Sequence, residues 1–495
     1  MGKSIENEVK VKGTFSSHAT LAAIGIKVTQ IGLFEPIAQR VKIAQKVVKY
    51  TPIQKMQDAF LNMLAGGQGL VEINKRIRSD PGVQRAFGRA ACAEQSVVQD
   101  TFDACVAENV QQMREAMDVI YRQYGHGYRH NYRRKWQLLD VDLTERPCGK
   151  KADCATKGYF SKRGSYGRQV GYVLATYYEE IVASELYDGK KQLSLVLPDL
   201  MKAAERALNL TKAKRLRTVV RVDAGGGSVD DINWMLGRGY RIIAKDYAAA
   251  RVKQLAKDVH EWVVDPKEQG REVGWVPSPI NLYSRPMQRI AVRCRKKNGQ
   301  YAIGIIVSNL TPEEVLELTE QDPALASDLQ AVMLAYVHLY DQRGGGVETQ
   351  IKGGKQGLGT SKRNKKRFEA QQMLLQLEAL AYNTLIWARG WLVPECPRIA
   401  AYGIKRLVRD VFTANGHIIL DQADQVVHII LNSLDALARH VCAGLAALLQ
   451  GHAVVSLGEI WVVATLVVSA RGESCDTLPN GRSPCGAHMR YCGDD

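Results

Sequence analysis

The sequence predicts an α/β fold with a mixed sheet core, a β-rich insertion in that core, and helical regions at both ends. Three observations predict it. Apolar residues recur at helical spacing over 14–130 and 404–468, strand and helix patterns alternate over 136–245, and 250–330 carries further strand patterns. Apolar residues make up 46% of the 495-residue chain, which is enough for large cores in several domains.

The N-terminal region, 1–130, is predicted to be helical. Apolar residues recur every three to four positions over 19–48 and 54–67, and 96–125 is predicted as one long amphipathic helix. A plain helical bundle and a DNA-binding domain with a helix-turn-helix both fit this pattern. The basic and aromatic segment RHNYRRKW would connect this region to the core.

The first part of the core, 131–249, has a readable order of elements. A strand is predicted at 137–144, a strand pair at 168–178 and 179–189, a helix at 197–210, a buried strand at 216–223, a helix from Ser228 to about Leu236, and a strand at 240–245. The order β-β-β-α-β-α-β is that of a ribonuclease-H-like sheet, in which three antiparallel strands precede parallel ones.

The remaining regions follow from the same patterns. The β-rich insertion, 250–330, holds strands at 288–295 and 301–309 around the turn KKNGQ. The closing part of the core, 331–395, is expected to carry the candidate acid Glu348 on a helix, although its pattern is that of a glycine-rich loop at 343–359 followed by a long helix at 361–392. A helical C-terminal region is predicted at 396–470, and a disordered tail at 471–495.

Bulk composition narrows the class of protein. The formal net charge of +16 favours a polyanionic partner such as nucleic acid. The ten cysteines form no CxxC pair and no convincing zinc spacing, as expected of reduced thiols. The N-terminus lacks the apolar core of a signal peptide, and the apolar run 460–470 is too short to span a bilayer. We expect no membrane association and a cytoplasmic location.

Three acidic residues stand in contexts that suit a metal-dependent site. Asp142 lies in the strand LLDVDLT, Asp223 ends the apolar run TVVRVD, and Glu348 lies in YDQRGGGVETQIKGGK. Asp223 follows its strand directly, where open α/β sheets place their sites. Such carboxylates can converge on two metal ions, which cut phosphodiester bonds by holding the attacking and leaving oxygens. Asp140 is an alternative to Asp142, because the two alternate along one strand and face the same way.

A different class of enzyme competes for Asp223. The segment VVRVDAGGGS matches the strand–Asp-x-Gly-x-Gly–helix pattern of nucleotide-fold methyltransferases, and Asp246 follows the next strand, where an acid could bind a ribose. That interpretation leaves the antiparallel start of the core and the segment 340–355 unexplained.

With these residues in place, the chain resembles the DDE transposases of bacterial insertion sequences. It is most similar to the branch with a Tyr-x2-Arg-x3-Glu-x6-Lys signature, matched by Tyr340, Arg343, Glu348 and Lys355, with four residues instead of three between Arg343 and Glu348. The family's first Asp lies in Asp-x-Thr, as Asp142 does. Its second Asp follows an apolar strand and precedes a small residue, as Asp223 does.

The resemblance implies a mechanism and partners. Asp142, Asp223 and Glu348 would be the catalytic residues and would hold two Mg²⁺ ions, with Mn²⁺ able to substitute. The partners would be double-stranded DNA, as terminal repeats and target, and a second copy of the chain in a synaptic dimer; the location would be the bacterial nucleoid. Eight residues between Arg343 and Arg367 are basic and only Glu348 is acidic, which predicts a phosphate track. The expected DNA-binding residues are Tyr340, Arg343, Lys352, Lys355, Lys362, Arg363, Lys365 and Lys366. A decayed transposase that binds DNA without cutting it is the non-enzymatic alternative.

Overall fold

A ten-stranded mixed sheet and a smaller four-stranded sheet organise the computed structural model, which describes residues 12–158, 160, 164–277 and 282–459. The strands are β1 (Lys12–Ser16), β2 (Gln137–Pro147), β3 (Thr156–Lys157), β4 (Tyr166–Ala175), β5 (Glu180–Asp188), β6 (Thr218–Val222), β7 (Arg241–Lys245), β8 (Val263–Val264), β9 (Arg271–Trp275), β10 (Gln288–Arg295), β11 (Tyr301–Ser308), β12 (Gly416–Leu420), β13 (Val426–Asn432) and β14 (Val454–Gly458).

The helices surround these sheets. They are α1 (Ala19–Gln30), α2 (Glu35–Arg40), α3 (Pro52–Leu64), α4 (Pro81–Ala86), α5 (Gln95–Asp103), α6 (Ala107–Tyr124), α7 (Leu193–Leu208), α8 (Lys212–Arg215), α9 (Val229–Arg238), α10 (Ala249–Leu255), α11 (Pro312–Leu318), α12 (Leu329–Arg343), α13 (Thr349–Gly353), α14 (Phe368–Leu392), α15 (Ile404–Arg406) and α16 (Ala436–Leu448). Single π-helical turns occupy Ile73–Ile77, Gly344–Glu348, Gly354–Leu358 and Leu407–Val411.

The large sheet has the predicted mixture of strand directions. Strand β4 pairs antiparallel with both β2 and β5, whereas β2, β6 and β7 are parallel to one another. These strands and helices α7 and α9 occur in the predicted chain order, so the mixed α/β prediction is confirmed.

The predicted insertion strands are present, but they extend the main sheet. Strand β11 pairs antiparallel with β7, β10 with β11, and β9 with β10. The turn between β10 and β11 is closed by a hydrogen bond from Lys296 N to Gln300 O, with Gly299 at a φ of +79°.

Helices cover both faces of the large sheet. One face packs Leu139, Val141 and Val220 against α7 and α9. The other packs Leu138 and Val219 against α12, and β4 and β5 of that sheet pack against α14. Alternation along β2 and β6 therefore places Asp140, Asp142 and Arg221 on the face that α12 covers.

The helix caps follow local sequence. Ser228 accepts a hydrogen bond from Asp231 N at the start of α9, and Gly239, at a φ of +94°, ends that helix. Thr311 and Glu314 form a capping box at the start of α11, which has a proline in its first turn.

The N-terminal region differs from the prediction in three places. Strand β1 lies within it and pairs with β12. The helix predicted over 19–48 is divided into α1 and α2, with Gly32 at a φ of +63° between them, and residues 41–47 are not helical. The helix predicted over 96–125 is interrupted between α5 and α6.

The C-terminal prediction of helix throughout 396–470 is wrong for much of its length. Strands β12 and β13 form an antiparallel pair and β14 joins β13 in parallel; within the described residues up to 459, the longest helix of this region is α16. The predicted disordered tail, 471–495, lies outside the described residues. Among the residues that are described, no helix is long and apolar enough to cross a membrane.

Candidate active site

Two parallel strands bring the two aspartates of the predicted site together. In the register of β2 and β6, Val141 stands opposite Val222, so Asp142 and Asp223 follow on neighbouring positions at one sheet edge. Asp223 ends its strand and accepts a hydrogen bond at 2.9 Å from Gly225 N, which fixes its carboxylate at the turn.

Glu348 reaches this edge from a helix, not from a loop. Helix α12, a π-helical turn at Gly344–Glu348, α13 and a second π-helical turn run without interruption to Leu358. The predicted loop at 343–359 is therefore wrong. Gly346 is explained by packing, because a Cβ there would lie 2.5 Å from Oδ2 of Asp140.

Arg343 lies between two of the three acids. Its Nη2 is 3.2 Å from Oδ1 of Asp142 and its Nη1 is 3.6 Å from Oε1 of Glu348. The same Nη2 donates to Val141 O at 3.1 Å. Burial alone would lower the pKa of the guanidinium, but Asp142 and Asp223 hold that pKa above its ordinary value. Arg343 is thus a buried cation held beside Asp142 and Glu348.

The charges of the other two acids act on Asp142. Burial, opposed by Arg343 and reinforced by the charges of Asp223 and Glu348, raises the pKa of Asp142 from 3.8 to about 6. A carboxylate in this position gains from any additional cation bound beside it. Perturbed acids of this kind are typical of functional sites.

Asp140 is committed to a structural pair. Its two carboxylate oxygens accept hydrogen bonds from Nε and Nη2 of Arg221 at 2.6 and 2.8 Å, and Thr176 Oγ1 donates to it at 2.9 Å. The side chains of Asp140 and Arg221 are both fully buried. Because both oxygens of Asp140 are already hydrogen-bonded, Asp142 is the better candidate of the two for a metal ligand.

The signature residues lie in different surroundings. Lys355 Nζ donates to Thr144 Oγ1 at 2.7 Å, which joins the lysine to the Asp-x-Thr motif of Asp142. Burial lowers the pKa of Lys355. Tyr340, on α12, is only 7% exposed and packs into the core, so its ring is not presented to a DNA base in this structure.

The predicted phosphate track divides into exposed and buried residues. Lys352, Lys362 and Lys366 are exposed. Arg363 and Lys365 are buried: Arg363 pairs with Glu378 and donates to Gly67 O, and Lys365 donates to Gln99. The side chains of these two residues therefore make internal contacts and are not available to DNA at the surface.

Two residues of the site were not foreseen. Arg221 could have been noticed, because an arginine inside the buried strand TVVRVD needs an anionic partner. Lys245, at the end of β7, lies with Nζ 5.1 Å from the centre of the Tyr340 ring. Nothing in its local sequence indicates that proximity.

Comparison with known proteins gives the family. The family model described as Transposase DDE domain group 1 matches residues 3–429. The chain belongs to this family. It is therefore a transposase, an enzyme of DNA transposition. A solved structure, "Cryo-EM structure of piggyBac transposase synaptic complex with hairpin DNA", is similar over 79% of this chain and 84% of that chain, at 10% identity and a TM-score of 0.30. No curated protein matches the sequence.

DDE transposases generally use divalent metal ions. The donor chemistry of Asp142, Asp223 and Glu348 fits a hard divalent cation, which prefers carboxylate oxygens. Across the described part of the chain, however, no group of three or more His, Cys, Asp or Glu side chains is close enough to hold a metal ion. The carboxylates of Asp142 and Glu348 contact the guanidinium of Arg343 instead.

The methyltransferase interpretation is not supported. Asp246, its candidate ribose ligand, is buried and pairs with Arg251 at 2.5 Å. The antiparallel strands β4 and β5 belong to the same sheet as β6, as the transposase interpretation expects.

Proposed function

We propose that this transposase serves a bacterial insertion sequence: it binds the terminal repeats, nicks the element ends and joins them to target DNA. The observation that carries the proposal is that Arg343 contacts both Asp142 and Glu348, while Asp223 stands beside Asp142 at the ends of two paired strands. Burial and the charges of Asp223 and Glu348 also raise the pKa of Asp142, and a carboxylate in such a position is typical of a functional site.

The core is proposed to be ribonuclease-H-like. Support comes from the strand order β5-β4-β2-β6-β7, in which three antiparallel strands adjoin the parallel run, and from the carboxylates on β2 and after β6. The proposed domain division is 1–130, 131–249, 250–330, 331–395, 396–470 and 471–495.

The Tyr-Arg-Glu-Lys branch is supported by the placement of its residues. The extra residue between Arg343 and Glu348 falls in the π-helical turn Gly344–Glu348, which accommodates more residues per turn than an α-helix. Lys355 lies on the same helical segment and contacts Thr144.

The acids would hold two Mg²⁺ ions, with Mn²⁺ as a substitute, and Asp142, Asp223 and Glu348 would be the ligands. When bound, such a pair activates water or a 3′-hydroxyl and stabilises the leaving oxygen. Arg343 orients Asp142 and Glu348 by its two contacts. Lys355 supplies a positive charge for a phosphate beside Thr144, and the exposed Lys352, Lys362 and Lys366 extend that charge along the surface.

The partners proposed are double-stranded DNA and a second copy of the chain, since two element ends must be joined in one reaction. The excess of positive charge supports a DNA partner. The proposed location is the bacterial cytoplasm, at the nucleoid.

An excision assay tests the proposal. The gene is supplied in trans to a marker flanked by the terminal repeats of its own element, and Asp223→Asn and Glu348→Gln are compared with wild type. Glu395→Gln is the matched control, because Glu395 is an exposed acid outside the site.

We expect excision by wild type and the control, and none by the two site variants. Purified protein should nick end DNA with Mg²⁺ or Mn²⁺ and not with EDTA. Excision by Glu348→Gln at the wild-type rate would remove Glu348 from the catalytic set. End binding without excision by wild type would favour the decayed transposase.

A further inference from the structure

A large groove with several basic side chains lies next to the proposed catalytic residues. Its volume is about 1010 Å³. One wall is the helical segment that carries Glu348, through Gly345, Thr349, Lys352 and Gln356, which recur at helical spacing. Glu348 and Lys355 lie on the neighbouring stripe of the same segment, so the groove runs alongside the site.

The other wall is a basic segment of the C-terminal region, residues 403–410. It contributes Lys405, Arg406 and Arg409, all exposed. The two walls are packed tightly at their base, because a Cβ at Gly357 would lie 2.8 Å from Cα of Lys405. Lys405 is therefore held at a fixed distance from the catalytic helix.

The groove carries an excess of positive charge. Two of its cations are neutralised, since Arg389 pairs with Glu179 at 2.9 Å and Arg406 with Asp410 at 3.4 Å. Within the described ranges, the side chains of the other three cations, Lys352, Lys405 and Arg409, have no ion pair or hydrogen bond. Three unneutralised cations in one groove suit a polyanion.

Two glycines leave the walls of the groove without side chains at positions that the backbone of a ligand could approach. Gly345 and Gly403 stand on opposite walls, and an added Cβ at either would meet no atom within 4 Å. Glycine weakens a helix relative to alanine. Among the described residues, none packs against Gly345 as Asp140 packs against Gly346, so the fold does not account for a glycine there. A ligand backbone that passes close to the helix would explain it.

We propose that this groove binds the phosphodiester backbone of DNA beside the scissile bond, with Lys352, Lys405 and Arg409 on phosphates. The proposal rests on the proposed function and adds the 403–410 segment to the DNA-binding surface. The bound backbone belongs either to the element end or to the target DNA, and the experiment separates the two.

The test compares two double variants of the full-length protein with equal loss of charge. Lys405→Ala/Arg409→Ala removes two groove cations, and Lys296→Ala/Lys297→Ala removes two exposed cations from the β10–β11 turn. Binding to a labelled linear duplex is measured over a salt series. Because each phosphate contact contributes about 0.9 to the slope of log K against log salt, the groove variant should lose about 2 from that slope. At about 0.1 M salt its affinity should fall by up to about 100-fold, and the control should match wild type.

Thermal unfolding should be unchanged in both variants, since all four side chains are exposed. A groove variant with the wild-type slope, or a control that loses as much, would overturn the proposal. Nicking of end DNA and strand transfer from pre-nicked ends are then measured. Loss of both assigns the groove to the element end, and loss of strand transfer alone assigns it to the target. If the wild-type protein binds the duplex but does not cut end DNA with Mg²⁺, the proposed function fails. The salt dependence of binding still shows in that case whether the groove binds DNA.

Discussion

Asp140 and Asp142 are two positions apart on β2, yet replacing each by asparagine should move stability in opposite directions. Asp140 neutralises Arg221 through two hydrogen bonds in a place with no solvent access. Asparagine keeps the shape and removes the charge, so the guanidinium stays buried without an anion. Breaking a buried pair in this way costs about 3–5 kcal/mol.

Asp142 is in the reverse situation. Its pKa of about 6, against 3.8 in an unfolded chain, means that at pH 7 the folded state is strained by the charge. A difference of that size corresponds to about 3 kcal/mol, and the side chain is only 17% exposed, so little of it is screened. Asparagine removes the charge, and Asp142→Asn should therefore stabilise the fold by up to about 3 kcal/mol.

The assay is thermal unfolding at pH 7 in EDTA, monitored by tryptophan fluorescence. Excision is measured in parallel at a temperature at which all the variants are folded. We expect a lower midpoint for Asp140→Asn with residual excision, and a higher midpoint for Asp142→Asn with no excision. A substitution that increases stability and abolishes activity indicates that the original residue is kept for function at a cost in stability.

The reasoning is refuted if Asp142→Asn lowers the midpoint as far as Asp140→Asn does. Asp142 would then be a structural partner of Arg343, equivalent to Asp140 beside Arg221. Excision by Asp142→Asn at the wild-type rate would refute the catalytic assignment separately.

Three further predictions follow from single contacts. Gly346→Ala should lower the thermal midpoint by the equivalent of about 1–3 kcal/mol, because the methyl group meets the Asp140 carboxylate at 2.5 Å; an unchanged midpoint would contradict this packing. Glu378→Gln should cost about 3–5 kcal/mol in urea unfolding, since it leaves Arg146 and Arg363 buried without their anion, and a loss below about 1 kcal/mol would count against it. Asp231 has a pKa raised to about 6 by burial, so the wild type loses stability between about pH 4 and pH 6 as this group ionises in the fold. Asp231→Asn should therefore be more stable than wild type at pH 7, by up to about 3 kcal/mol, and equal to it below about pH 4, where a persistent difference would exclude titration as the cause.

The strands of the core could be predicted because their signal is local. Strands β6 and β7 are short, largely apolar runs, β2 begins with alternating apolar and acidic residues, and Ser228 and Thr311 carry the cap chemistry within four residues of sequence. Each of these patterns depends on neighbours along the chain.

The local pattern of the glycine-rich segment predicts a loop instead of the observed helix, since the cause of that helix is not local. Glycines normally weaken a helix, and 343–359 contains seven of them. Gly346 and Gly357 are needed because Asp140 and Lys405, far away in sequence, press against the helix there. Composition likewise could not distinguish the buried Arg363 from the exposed Lys362 beside it.

The C-terminal strands carried a signal that was missed. The tetrapeptide His-Ile-Ile-Leu occurs at 417–420 and again at 428–431, and the two copies lie in the paired strands β12 and β13. β-branched residues favour strands, but a helical period also fits so short a run. The partner that completes the sheet is β1, at the opposite end of the sequence.

The shared core of the two ends has a consequence for synthesis. Helices α1 to α6 bury their apolar faces in one cluster with α14, the β12–β13 pair and α16. Residues 19–120 therefore expose apolar surface until residues up to Val455 have been synthesised. A growing chain of this transposase must keep this helical region incompletely packed while more than 300 further residues are added. Premature termination would release an aggregation-prone fragment. The amount of active enzyme would then depend on chaperones as well as on transcription.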